Sequence, residues 1–215
     1  MTATVRTVDG RVAGRRGQVT RQKLLDCLQE MLRSSPYRDV KVIDVARRAG
    51  TSPATFYQYF PDIETAVLGI ASDKAREGAQ LRSLVKDQSW AGKSGYQAAR
   101  QLVDRLFDFW RENEPVLRVV DLGASEGDAR FRRIRVRMLN SLTTALADVI
   151  TDLQQSGKYV DEVHPMAMSG ALVGMLAHNA AHEKGFESWD IHSEDLRESM
   201  TRLVFWGITG KKPPK

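Results

Sequence analysis

The sequence predicts an all-α fold, with three short helices in front of a longer helical bundle. Three observations predict it. Apolar residues recur at helical spacing along most of the chain from Thr20 onward. No segment of strand length alternates apolar and polar residues. Glycine, proline and Asp/Ser clusters fall between the periodic segments.

Taken in order, residues 1–18 hold Arg6, Arg11, Arg15 and Arg16 among Gly10, Gly14 and Gly17, with no helical or strand period, which predicts a flexible basic arm. Thr20 is a suitable N-cap for a first helix whose Leu24, Leu28, Met31 and Leu32 share one face. Ser34-Ser35-Pro36 ends it, because the residue before proline resists the helical region. Val42, Val45, Ala46 and Ala49 line a second helix, closed by Gly50 as a left-handed cap. Ser52 at the cap and Pro53 at the first position start a third, brief helix running to Phe60. Asp62 caps a fourth, with Ile63, Ala66, Val67 and Ile70 on one face. Further helices are expected at Gly95–Asn113, Pro115–Leu122, Ala129–Gln155, Pro165–Lys184 and Ser193–Ile208. The domains expected are the arm 1–18, a helix-turn-helix domain 19–61 and a helical domain 62–210.

Composition narrows the function. Of 215 residues, 42% are hydrophobic and 27% charged, which supports a packed core and excludes wholesale disorder. The single cysteine, Cys27, excludes an intramolecular disulfide framework and a cysteine-based zinc finger. The longest nearly apolar run, Met166 to Ala177, is 12 residues, short of the ~20 that span a bilayer. The N-terminus lacks an apolar signal core, so a cytoplasmic protein without a membrane partner is expected. Residues 1–60 hold eleven Lys/Arg and five Asp/Glu, whereas residues 61–215 hold 21 and 22. The basic excess is therefore local, and a local basic excess points to a polyanion, of which nucleic acid is the commonest.

The features that enzymes need are missing. There is no glycine-rich phosphate loop, zinc-protease motif or nucleophile elbow, and nothing sets Asp121 or Glu126 against a base. No enzyme activity and no cofactor are expected. His178 and His182 share a helix face beside Glu183, but no third ligand stands at a recognisable spacing, so no metal is expected.

The segment Val42–Phe60 has the layout of a helix-turn-helix, whose second helix enters the DNA major groove. Phe56 and Phe60 lie one turn apart and should face inward onto Leu24, Leu28 and Val45, leaving Pro53, Ala54, Thr55, Gln58 and Tyr59 largely outside and Tyr57 at the boundary. Ala54 and the Thr55 methyl suit thymine methyl groups, and Gln58 suits adenine. The hydroxyls of Ser52, Tyr57 and Tyr59 suit phosphates. A plain core helix pair without DNA contact is the alternative reading of the same residues.

The run Val42-Ile-Asp-Val-Ala-Arg-Arg-Ala-Gly-Thr-Ser-Pro-Ala-Thr-Phe-Tyr-Gln-Tyr-Phe-Pro-Asp-Ile-Glu resembles the DNA-binding signature of TetR-type transcriptional repressors over residues 20–70. The resemblance implies an all-helical homodimer that binds a palindromic double-stranded operator. It also implies a C-terminal bundle holding a small-molecule pocket, with ligand binding releasing the operator. Two positions depart from the family. Lys41 replaces the usual threonine before the second helix, and there it can reach a phosphate but cannot cap. Ile63 replaces the usual lysine opening the fourth helix. Arg15 and Arg16 in the arm are placed to compensate by following the phosphates or the minor groove.

Small residues Gly170, Gly174, Ala177 and Ala181 form a smooth helical stripe, and Leu196, Met200, Leu203 and Val204 share a face of the last helix. By resemblance these two helices pair with their copies, as a four-helix dimer interface. Packing inside one subunit is the alternative. Phe107, Trp110, Met138, Leu142 and Met175, with His178 and Asn179 as polar anchors, are the candidate pocket for a lipophilic effector, against a plain core.

Overall fold

The computed structural model describes residues 7–86 and 88–214; residues 1–6 of the expected arm, Asp87 and Lys215 lie outside the described residues. Among the described residues the elements are helical and none is a strand. They are α1 (Arg15–Ser34), α2 (Val42–Arg48), α3 (Pro53–Tyr59), α4 (Ile63–Gly78), α5 (Ser83–Lys86), α6 (Gly92–Ser125), α7 (Ala129–Gln155), α8 (Pro165–Ala181) and α9 (Ser193–Thr209), with short 3₁₀ turns at Tyr37–Asp39, Ala79–Arg82 and Glu183–Trp189.

Two expectations change. First, α1 begins at Arg15, ahead of Thr20. Gly14 is its N-cap, and the Thr20 hydroxyl donates to the Arg16 carbonyl at 3.1 Å instead of capping. Arg15 and Arg16 therefore stand in the first helical turn, not in an irregular arm. Second, the two helices expected on either side of Asn113-Glu114-Pro115 are one helix, α6, with Pro115 inside it. An internal proline costs about 3 kcal/mol. The burial of Val116, Leu117, Val119 and Val120 directly after it offsets that cost, at roughly 1.5–3 kcal/mol for each fully buried side chain.

The chain forms two compact units. One is the described part of Met1–Lys74 with Pro115–Ile134, and the other is Ala75–Glu114 with Arg135–Lys215. In the first, α1, α2 and α3 pack on one another, and Leu24, Leu28, Leu32, Val45, Ala46 and Phe56 have no measurable exposure. Gly50, at φ +65°, turns the chain between α2 and α3 as expected. At the end of α6, Gly123 lies against the ring of Phe131.

In the second unit, Leu102, Val103, Phe107, Leu142, Leu146, Val204 and Ile208 are fully buried. The helices α8 and α9 approach closely: a Cβ on Gly207 would fall 2.9 Å from Leu172. Arg197 of α9 is buried beneath this layer. Its guanidinium lies over the Phe107 ring at 4.9 Å and reaches Asp104 (3.4 Å), Asp108 (3.3 Å) and Glu183 (3.3 Å). A buried cation requires this many partners, because a bare one would cost several kcal/mol. All four tryptophans lie in this unit: Trp90 and Trp110 are buried, Trp189 and Trp206 exposed.

Candidate nucleic-acid interface

The helix α3 has only seven residues, too few to be stable alone, so its ends and its inner face must hold it. At the start, the Ser52 hydroxyl accepts from the Thr55 backbone N–H at 3.2 Å, with Pro53 at the first helical position. At the inner face, Phe56 and Phe60 are buried with ring centroids 5.5 Å apart. Arg21 of α1 spreads its guanidinium over the Phe60 ring at 5.0 Å. Burial works against that charge, and Asp73 of α4 sustains it.

With the inner face fixed, the opposite edge is open. Ser52, Pro53, Ala54, Tyr57 and Gln58 are exposed. Thr55 is half-buried, and its hydroxyl lies 3.0 Å from that of Ser52. The two tyrosines exchange their expected places. Tyr57 is 51% exposed, while Tyr59 is half-buried with its hydroxyl 3.0 Å from where a Cβ of Gly17 would stand. At about 100° per residue, both tyrosines lie about 80° from the direction shared by Phe56 and Phe60. Periodicity therefore cannot choose between them; the open space over Gly17 does.

The cations expected to meet phosphates, Lys41, Arg15 and Arg16, are exposed. Lys41 is the N-cap residue of α2 and makes no side-chain cap, as expected of a lysine there. Arg15 and Arg16 open α1, whose first turn holds no acidic residue. Two cations at a helix N-terminus oppose the helix dipole, an arrangement that an approaching polyanion would relieve. Residues 7–11, ahead of α1, form a turn: the Thr7 N–H donates to the Arg11 carbonyl at 2.9 Å, and the Val8 N–H donates to the Gln58 carbonyl at 2.8 Å.

Sequence reasoning missed the ties behind this edge. Glu64, in the first turn of α4, pairs at 2.9 Å with Arg130, which also grips Asp128 at 2.7 Å. Hydrogen bonding from Arg130 holds the Asp128 carboxyl down at about 2. Arg38 pairs with Glu126. Tyr37, half-buried between these pairs, is pushed up to about 12, first by burial and then by the charges of Glu64 and Asp62. Glu64–Arg130 and Arg38–Glu126 each join residues dozens of positions apart, so no local signal exposes them.

In the second unit, Phe107, Trp110, Met138 and Leu142 are buried, Met175 and Asn179 half-buried. His178 is exposed, its ring centroid 4.5 Å from that of His182, so it is no interior anchor. The Asn179 amide donates to the Met175 carbonyl of its own helix at 2.8 Å. Of the expected pocket residues, Trp110 lines a cavity of about 260 Å³, together with Arg111, Glu114, Ala181, His182 and Glu183. Among the described residues no cluster of three or more His, Cys, Asp or Glu could hold a metal. No described helix is long and apolar enough to cross a membrane.

The expected partner face also shifts. Ala177, Leu196 and Met200 are buried within the chain, because α8 and α9 pack on each other through that side. Gly170 is exposed, Gly174 and Ala181 are half-buried, and on α9 Leu203 is 42% and Trp206 59% exposed. The outward apolar surface thus combines the glycines of α8 with Leu203 and Trp206 of α9.

Comparison with known proteins agrees with this geometry. Residues 24–65 match the model of the bacterial regulatory proteins of the tetR family, and residues 81–215 match that of the tetracyclin repressor-like C-terminal domain. An uncharacterized HTH-type transcriptional regulator of Haemophilus influenzae is 25% identical over 142 residues, covering 66% of this chain and 68% of that protein. Among solved structures, the regulator FadR from Bacillus subtilis in complex with stearoyl-CoA aligns with a TM-score of 0.66 at 16% identity, over 86% of this chain and 98% of that one. FadR from Thermus thermophilus, a TetR-family transcriptional repressor in complex with lauroyl-CoA, aligns with a TM-score of 0.60 at 17% identity, over 91% and 98%. The structural likenesses carry the fold, and the two family models, which together span both the reading helices and the bundle, carry the rest: this chain is a transcriptional regulator of the tetR family.

Proposed function

We propose that this regulator is a ligand-responsive repressor that binds a palindromic double-stranded operator as a homodimer and leaves it when a small lipophilic effector enters the bundle. The observation that carries the reading is the open polar edge of α3, capped by Ser52 and pinned from behind by Phe56 and Phe60. On this reading Ala54, Thr55 and Gln58 read base edges, and Ser52, Tyr57, Lys41, Arg15 and Arg16 hold phosphates. The half-buried Tyr59 supports α3 and contributes at most its hydroxyl. Residues 19–61 act as the reader and residues 62–210 as the effector and partner domain.

The apolar face of Gly170, Gly174, Leu203 and Trp206 supports a two-fold pairing, which would set two reading helices about one DNA turn apart. An effector in the lipophilic class is supported by the acyl-CoA molecules bound to the two FadR proteins and by the buried Trp110 ring in the lining of the bundle cavity. To lower operator occupancy 100-fold, the effector must favour the non-binding shape by about 2.7 kcal/mol.

A gel shift against the DNA upstream of the protein's own gene, at two salt concentrations, tests the reading. Salt-sensitive, sequence-selective binding is expected, and each phosphate contact removed should lower the salt slope by about 0.9. Thr55→Ala and Gln58→Ala should each relax the preference at one base position by about 1–3 kcal/mol. If both variants keep the full preference, α3 is not the reader.

A further inference from the structure

The first unit holds a cleft of about 600 Å³ at the far end of α1, lined by Arg33, Ser34, Ser35, Pro36, Tyr37, Arg38, Arg118, Val119 and Leu122. Three arginines, Arg33, Arg38 and Arg118, are among its lining residues, and no Asp or Glu is. Its floor is apolar: Pro36 comes from the α1 exit, Val119 and Leu122 from α6. Arg118 is held in place by donating to the Leu32 carbonyl at 3.3 Å, and Arg38 is drawn to Glu126 at the rim. The Ser34 and Ser35 hydroxyls add polar groups beside the cations.

The cleft is not the DNA-reading edge. Tyr59 of α3 packs against Gly17 near the start of α1, and Arg33 stands near its end, about 24 Å further along the helix axis. A volume of this size suits a small molecule. Guanidinium forks suit a planar or tetrahedral oxyanion, and the apolar floor suits a hydrocarbon body.

We propose that this cleft is a second ligand site, separate from the bundle cavity, that takes a small amphiphilic oxyanion with a carboxylate or phosphate head. The head sits among Arg33, Arg38 and Arg118, and the apolar body lies on Pro36, Val119 and Leu122. Such an anion competes with Glu126 for Arg38. Its binding therefore opens one of two ion pairs: Arg38–Glu126, which ties the turn after α1 to the segment joining α6 and α7, beside Glu64–Arg130, which ties the start of α4 to the start of α7.

Nuclear magnetic resonance of the full chain, titrated with octanoate, octyl phosphate and octanol, tests this. The expected result is that at least one of the two anions shifts the Tyr37 ring signals while octanol does not, and the stronger of the two identifies the head group. Arg33→Glu, at an exposed position, should weaken the binding by about tenfold or more. Arg118→Met should weaken it similarly, with the fold checked by circular dichroism. Equal shifts with octanol, unchanged affinity in Arg33→Glu, or no shift of Tyr37 with either anion overturns the proposal. Shifts confined to the Trp110 indole also overturn it while leaving the bundle site intact, so the two readings fail separately.

Discussion

Gly123 illustrates how one missing side chain sets local packing. In the interior of a helix, replacing glycine by alanine ordinarily stabilises by about 1 kcal/mol. Here a Cβ would fall 2.4 Å from Cδ2 of Phe131, a ring only 3% exposed. Overpacking of this kind costs roughly 1–3 kcal/mol, so the sign reverses. Gly123→Ala should lower the urea midpoint of the protein, and a raised midpoint would show that Phe131 moves aside freely. Gly17 is the milder counterpart. Its vacancy seats Tyr59, and that is why the outer tyrosine of α3 is Tyr57.

At the scale of the element, α3 depends on its cap. Ser52→Ala removes the acceptor for the Thr55 N–H and should cost about 1 kcal/mol of stability. Ser52→Asp keeps a cap and adds a favourable charge at the helix N-terminus, so the thermal midpoint should hold. In the proposed binding mode the same carboxylate would face the DNA phosphates, so operator affinity should fall in a salt-dependent way. Melting and gel-shift measurements on both variants separate the capping role of Ser52 from its contact role. This element was legible in the sequence because everything that makes it is local: Gly50, Ser52, Pro53, Phe56 and Phe60 lie within a dozen residues and act through helix geometry. The continuity of α6 was not legible. Local rules stop a helix before Pro115, and only burial of the apolar turn after it, a tertiary effect, carries the helix on. The seats of the cations behind the reader were equally hidden. Nothing near Glu64 in sequence announces Arg130, and nothing near Arg21 announces the ring of Phe60.

At the scale of the whole molecule, the outward face of α8 and α9 should govern assembly. Leu203 and Trp206 are large apolar residues left exposed beside Gly170 and Gly174, whose surroundings leave room for a Cβ. Leu203→Glu with Trp206→Glu should shift a dimer toward monomer in analytical ultracentrifugation. Binding to a palindrome should weaken far more than binding to a half-site, since one reader then acts without its twin. Met200→Ala, by contrast, acts inside the subunit and should lower stability. The sequence could mark the small-residue stripe of α8 and the apolar face of α9 but not which side of each turns outward, because Ala177 shares the period of Gly170 and Gly174, and Leu196 and Met200 that of Leu203, and yet all three lie inward.

The placement of the indoles makes the protein its own spectroscopic probe. Every one of them belongs to the bundle unit, and the helix-turn-helix unit carries tyrosines alone among its strong near-ultraviolet chromophores. Emission excited at the red edge of the absorption band therefore watches one unit and is blind to the other. Followed alongside far-ultraviolet ellipticity, which sees both, it reveals whether the reader loosens before the bundle does, with no label attached to the DNA-facing surface.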